Sequence, residues 1–319
     1  MIKGQRVEED SDVRTALKDN TSNLRDMTNK VTELSQRSNT KFNRRQENQE
    51  LQHERQAILD WLTPIEYTSQ QSGFISRRQA ETGQWLLASE EFRAWLKTDK
   101  QTLFCRGIPG AGKKIFTSII VEELTTRFCA NPEIGVTYVY CNPRCQNEQK
   151  IDDLLANHLK QLSEGWPSLP VTVRELYNRH MATRTRPSLN EISECLRIVM
   201  MLHSRGFVII DALDECQNSN GYRQRFLSSL FKLRTECSMN LFITSQPIPN
   251  IEKEFVGNST LEIRASEEDV RRYLDDHLVG FPRFVDENSE LREETKTAII
   301  KAVNGMYVIN IFWSTNKPR

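Results

Sequence analysis

Residues 107–114 read Gly107-Ile108-Pro109-Gly110-Ala111-Gly112-Lys113-Lys114 and lie between two segments of different periodicity. Before them, 101–106 (Gln-Thr-Leu-Phe-Cys-Arg) is a short apolar run of strand type. After them, Ile115, Phe116, Ile119, Ile120, Leu124 and Phe128 recur at helical spacing. A glycine-rich turn that joins a strand to a helix constrains the fold more than any other stretch of this chain. Its glycines let the backbone turn so that several N–H groups point inward, and the following helix brings its positive N-terminal end to the same point. The spacing matches the phosphate-cradling pattern G-x-x-x-x-G-K-[ST] at Gly107, Gly112 and Lys113 and departs from it at the last position. There, Lys114 stands where a hydroxyl would hold magnesium.

Two further segments end in groups suited to the same ligand. Residues 207–211 (Phe-Val-Ile-Ile-Asp) form a continuous apolar strand ending in an acid, followed at once by Ala212-Leu213-Asp214-Glu215. An acid at such a strand end steadies magnesium beside the phosphates, the role expected of Asp211. Glu215, with Asp214 beside it, is placed to orient or deprotonate an attacking water. A third strand, 240–245, is stopped by Pro247. Gln246 at its end would lie close to the outer phosphate in an open parallel sheet. The expected ligand is ATP or GTP, with Mg2+ weakly bound.

With these blocks the chain resembles the NACHT-type signal-transduction NTPases of filamentous fungi, including the nephrocystin-like N-terminal domain group. The resemblance runs from about Ile58 to Tyr307. It takes in Ala57 to Leu62, Arg78, Thr82-Gly83-Gln84-Trp85-Leu86-Leu87, Glu91-Phe92 and Trp95-Leu96. It continues through the octet, Val208 to Cys216, and Ile243-Thr244-Ser245. The family implies a nucleotide-driven switch, with an N-terminal effector, a central NTPase with a winged helix, and C-terminal repeats.

This chain departs from that pattern in three places. Lys114 replaces the magnesium-binding threonine, Gln246 replaces an arginine that senses the outer phosphate, and the chain ends at Arg319 before a winged helix. The tail 306–319 is atypical and reads like a chain that has left its frame. An ammonium about 4 Å from a divalent ion is repelled by roughly 8 kcal/mol at an effective dielectric near 20, an upper bound because the lysine stem can swing its amine into water. The same amine could instead stand on a phosphate oxygen. Weakened nucleotide binding with less magnesium dependence is expected, with poor or no hydrolysis. The competing reading is a degenerate or truncated scaffold that acts by protein–protein interaction through its N-terminal helix.

Strands expected near 101–107, 135–142, 207–213, 240–245 and 260–264 alternate with helices. That gives an α/β fold, a P-loop NTPase whose parallel five-stranded sheet lies between helices. An N-terminal α-helical, coiled-coil segment precedes it. The expected division is 1–62 N-terminal helix, 63–98 linker and helix, 99–305 NTPase domain and 306–319 tail. In the first segment Val13, Asn20, Met27 and Leu34 step by seven, as do Leu17, Leu24 and Val31. This heptad seam over 12–36 leaves open both a homo-oligomer and a lone helix folded back on its own domain. Residues 65–76 read as an irregular linker and 81–97 as one helix.

A formal charge of zero gives no reason to expect nucleic acid or an acidic membrane as partner. No apolar run approaches the roughly 20 residues that span a bilayer, and the amino terminus lacks a signal-peptide core. The expected location is therefore cytoplasmic, with protein partners. Seven scattered cysteines suggest reduced thiols, and Cys141 and Cys145 lack a second ligand pair with metal spacing.

Overall fold

The computed structural model describes residues 2–145, 149–216, 221–277 and 288–303. The expected tail 306–319 lies outside them. Four helices precede the first strand: α1 (Ile2–Leu62), α2 (Thr68–Ile75), α3 (Gln84–Ala88) and α4 (Glu90–Lys97). Then follow β1 (Thr102–Arg106), α5 (Lys113–Phe128), β2 (Ile134–Tyr140), α6 (Ile151–Glu164), α7 (Val171–Thr183), α8 (Leu189–Met201) and β3 (Arg205–Asp211). The rest is α9 (Tyr222–Glu236), β4 (Met239–Ser245), α10 (Pro249–Glu252), β5 (Ser259–Glu262), α11 (Glu267–His277) and α12 (Ser289–Val303).

The five strands pair in parallel in the order β2-β3-β4-β1-β5, so β4 separates β1 from β3 although it follows both in sequence. Parallel neighbours need long crossovers, and helices between the strands supply them. The strands read as unbroken apolar runs because both faces of the sheet are covered. On β3, Phe207 and Ile209 pack in one core layer with Phe116, Ile120 and Leu124 of α5. Val208 and Ile210 pack in the other, with Leu155 and Leu159 of α6, Val199 of α8 and Phe226 of α9. This period of two sorts one strand between two cores.

Two segments differ from the sequence reading. Residues 68–75 form α2 rather than an irregular linker. Gln71 is buried there, donates to the Ser118 carbonyl of α5 at 2.9 Å and accepts from the Tyr140 hydroxyl. Tertiary bonds thus hold a stretch whose Ser, Gln and Gly content signals a loop. The single helix expected over 81–97 is two, because Gly83 takes a left-handed φ of +76° and the Ser89 hydroxyl accepts from the Phe92 N–H to start α4 afresh.

The chain forms two compact units, Met1–Ala57 and Ile58–Arg319. In the first, Leu17, Leu24, Met27, Val31 and Leu34 of the heptad seam are 62–66% exposed. In the second, Ile58, Leu59 and Leu62 are buried. No helix among the described residues is long and apolar enough to cross a membrane.

Candidate nucleotide-binding site

The loop leaves β1 and is pinned at once, as the Gly107 N–H donates to the Ser245 carbonyl at the end of β4 (3.0 Å). A Cβ at Gly107 would sit 3.0 Å from the Ile263 carbonyl oxygen and 3.3 Å from the Ala111 Cβ. Gly110 and Gly112 take φ of +80° and +86°, which an L side chain resists. Ile108, Pro109 and Ala111 complete the turn, and the Ala111 N–H donates to the Ile108 carbonyl (3.1 Å). Helix α5 starts at Lys113, so its unpaired first-turn N–H groups open onto the loop. The Lys113 ammonium folds back over the turn and donates to the carbonyls of Gly107 (2.8 Å) and Ile108 (3.2 Å). Burial lowers its pKa, against the pull of Asp214, Asp211 and Glu215.

Facing the loop, β3 delivers three acids. Asp211 is fully buried, and its Oδ1 accepts from the hydroxyls of Thr117 on α5 (2.7 Å) and Thr244 on β4 (2.8 Å). Thr244 in turn accepts from the Ala212 N–H (2.8 Å). Burial pushes the Asp211 carboxyl up to about 6, while the two hydroxyls and the charge of Lys114 oppose the rise. Its other oxygen, Oδ2, is buried without a hydrogen-bond partner. Asp214 Oδ1 accepts from the backbone N–H of Gln246 (2.9 Å), which joins the β3 turn to the end of β4. Glu215 Oε2 lies 3.4 Å from the Lys114 ammonium.

Side chains in the Lys114–Glu215 pair are 40% and 25% exposed, so the pair is worth about 0–1 kcal/mol and yields readily to a stronger partner. The donor set is therefore divided. The loop, with its left-handed glycines and its folded lysine, fits a polyphosphate. The orphaned Asp211 oxygen fits a cation, but the residue that should offer magnesium a hydroxyl offers an ammonium instead. Among the described residues no group of three or more His, Cys, Asp or Glu is arranged to hold a metal ion.

Cys105, Cys129, Cys195 and Cys237 are free thiols, and the cysteine reading needs correction at one pair. Cys141, after β2, is joined to Cys216, the residue after Glu215, with Cα atoms 5.4 Å apart. The two are 75 residues apart in sequence and meet because β2 and β3 are neighbours.

Beside the loop lies a cavity of about 200 Å³, bounded by Arg78, Thr82, Gly83, Gly112, Phe116 and Tyr273. The Arg78 guanidinium closes the 78–82 turn by donating to the Thr82 carbonyl (3.0 and 2.8 Å). The Gly83 N–H donates to the Asp269 carboxylate of α11 (3.2 Å). Thr117, Thr244, Tyr273 and Asp269 escape a reading by motif. For the two threonines a signal was present: a hydroxyl one helical turn after Lys113, and one just before the end of an apolar strand.

A strand, a glycine-rich loop and a helix, with β4 set between the loop strand and the acid-bearing strand, define a P-loop NTPase fold. The family described as Nephrocystin 3, N-terminal matches residues 81–246, just over half of the 319, and the chain belongs to it. No curated protein matches the chain. Similar solved structures include the Aeropyrum pernix ORC1 protein in complex with DNA, at 17% identity and a TM-score of 0.43 over 62% of this chain and 49% of that one. Drosophila ORC bound to DNA gives 14% identity and a TM-score of 0.43 over 64% and 49%. AMPPCP-bound DnaA from Aquifex aeolicus gives 13% and 0.36 over 72% and 63%. The chain thus spans 49–63% of the length of these three proteins. Two of them hold DNA, which corrects the expectation that nucleic acid is excluded as a partner. The physical reason is that a chain-wide charge of zero averages over local patches and excludes no such contact.

Proposed function

We propose that this chain is a NACHT-type signal-transduction module that binds ATP or GTP and turns it over poorly. The NTPase unit of this reading spans 99–305, behind an N-terminal helix (1–62) and a connecting segment (63–98). The observation that carries the reading is the Lys114–Glu215 contact at 3.4 Å. It puts a permanent positive charge among the acids where a P-loop enzyme keeps a metal. Lys113 and Lys114 would neutralise phosphate oxygens, while Ile108 to Gly112 cradle them with backbone N–H groups. The cavity at Gly112 is open to a nucleoside.

Poor turnover follows from what the acids are already doing. Glu215, the residue suited to orient water, is already engaged by the Lys114 ammonium at 3.4 Å. Asp214 is engaged by the Gln246 backbone, and the Gln246 side chain brings no charge to an outer phosphate. Asp211 remains able to hold magnesium through Oδ2, which would supply charge neutralisation on the phosphates when bound. With Lys114 in place that contribution is small.

The test compares labelled nucleotide binding with and without magnesium, then turnover before and after Lys114→Thr combined with Gln246→Arg. Removal of magnesium should change the dissociation constant of the natural chain less than about threefold, and the double reversion should raise turnover tenfold or more, about 1.4 kcal/mol of barrier. A strong magnesium requirement with ordinary turnover in the natural chain would sink the proposal.

A further inference from the structure

Helix α9 carries one buried residue that its pattern does not call for. Its buried positions are Arg223, Phe226, Leu227, Leu230 and Leu233, spaced by three and four along one face. Four are apolar and pack in the core under the sheet, while the first is a guanidinium. Because α9 follows β3 and leads into β4, its first turn lies at the carboxyl edge of the sheet, the edge at which Asp211, Asp214 and Gln246 gather.

Arg223 is only 8% exposed, and its guanidinium makes no hydrogen bond or ion pair among the described residues. Its electrostatic neighbour is Asp214, the carboxylate that also acts on Lys113 and accepts from the Gln246 N–H. Two other half-buried arginines have protein partners. Arg205 pairs with Asp99 (2.8 Å) and donates to the Thr98 carbonyl (2.8 Å), and Arg234 donates to Thr102 and to Asn258 (2.9 Å). A guanidinium carries five N–H donors, and with no protein partner among the described residues they remain available to a ligand at this edge. A terminal phosphate offers three oxygens and the charge that Asp214 only half supplies.

Resting on the nucleotide-binding reading above, we propose that Arg223 is the cation that contacts the outermost phosphate of a bound nucleoside triphosphate, in place of a positive side chain at Gln246. In the empty site Asp214 balances both Arg223 and Lys113. A triphosphate displaces that carboxylate as their common counter-charge. A diphosphate leaves Arg223 with Asp214. Arg223 thereby makes the site distinguish the two ligands even where hydrolysis is poor.

The experiment measures the affinities of a non-hydrolysable nucleoside triphosphate and of the diphosphate for the full chain, in adenine and guanine forms. Arg223→Gln should weaken triphosphate binding about tenfold or more, the worth of a charged hydrogen bond, and leave diphosphate binding within about twofold. Adding Gln246→Arg to that variant should restore the preference, which a merely structural role for Arg223 would not allow. Equal losses for both nucleotides, no loss for either, or no rescue from position 246 overturns the proposal. Should Arg223→Gln fail to fold, Arg223→Lys keeps the charge without the fork, and an undiminished triphosphate preference there would count against the guanidinium. A natural chain that binds both nucleotides equally removes the Arg223 role alone, whereas one that binds neither removes the nucleotide reading with it.

Discussion

Asp211 shows how few residues hold the acid side of this site in place. A fully buried carboxylate is costly, and here two threonine hydroxyls from different elements offset part of the cost on a single oxygen. The two threonines are not equivalent. Thr117 only donates to Asp211, whereas Thr244 also accepts from the buried Ala212 N–H. Thr117→Val removes one charged hydrogen bond and should cost about 1–3 kcal/mol; Thr244→Val also strands an N–H and should cost about 2–5 kcal/mol. Urea denaturation of the two variants at pH 7 measures both, and a larger loss for Thr117→Val would contradict this geometry. The octet and Asp211 were legible in the sequence because phosphate chemistry demands a local pattern of residues. Arg223 was not, because it acts across space and carries no neighbouring signature, while Thr117 and Thr244 offered only their places one turn after Lys113 and just before a strand end. Lys114 was legible as an anomaly, but its partner Glu215 lies 101 residues away and only the fold brings the two together.

At the scale of elements, close packing at one end of the sheet rests on two glycines that face each other across β2 and β3. Gly135 and Gly206 are register partners. A Cβ on Gly135 would meet Leu162 of α6 at 2.5 Å, and one on Gly206 would meet the Met200 sulfur of α8 at 2.3 Å. Met200 is itself 1% exposed and has little room to retreat. Gly206→Ala should therefore overpack the core and cost about 1–3 kcal/mol. Gly73, inside α2, has nothing within 4 Å of its would-be Cβ, so Gly73→Ala should stabilise by about 0.5–1 kcal/mol. Opposite signs for the two glycine-to-alanine changes are the expected result in chemical melts, and equal signs would refute the packing account. The strands were readable from unbroken apolar runs, since burial on both faces leaves no other pattern. Helix α2 was not, because what holds it is Gln71 reaching into α5 and β2 rather than its own composition.

For the whole molecule, the strand order is what assembles the site, and no local pattern encodes it. Only with β4 between β1 and β3 do Ser245, Thr244 and Gln246 reach the loop, Asp211 and Asp214 respectively. The site therefore belongs wholly to the unit 58–319, and ligand binding should stabilise that unit by mass action. Nucleotide at about 100 times its dissociation constant adds about 2.7 kcal/mol, which for a domain of this size raises the melting temperature by about 5–10 °C. Two signals separate the units. All five tryptophans lie beyond residue 57, so their fluorescence follows the nucleotide-binding unit alone. Helical circular dichroism also records residues 2–57 of α1, in which Leu17, Leu24, Met27, Val31 and Leu34 are exposed. A helix without a buried face gains little beyond its own backbone bonds, so it should melt gradually and at lower temperature. Saturating nucleotide should then shift the tryptophan transition and leave the early, gradual loss of ellipticity where it was. A tryptophan transition that stays put under saturating ATP and GTP would remove the binding site from this unit, and a shared shift of both signals would show that the first unit melts as part of the second.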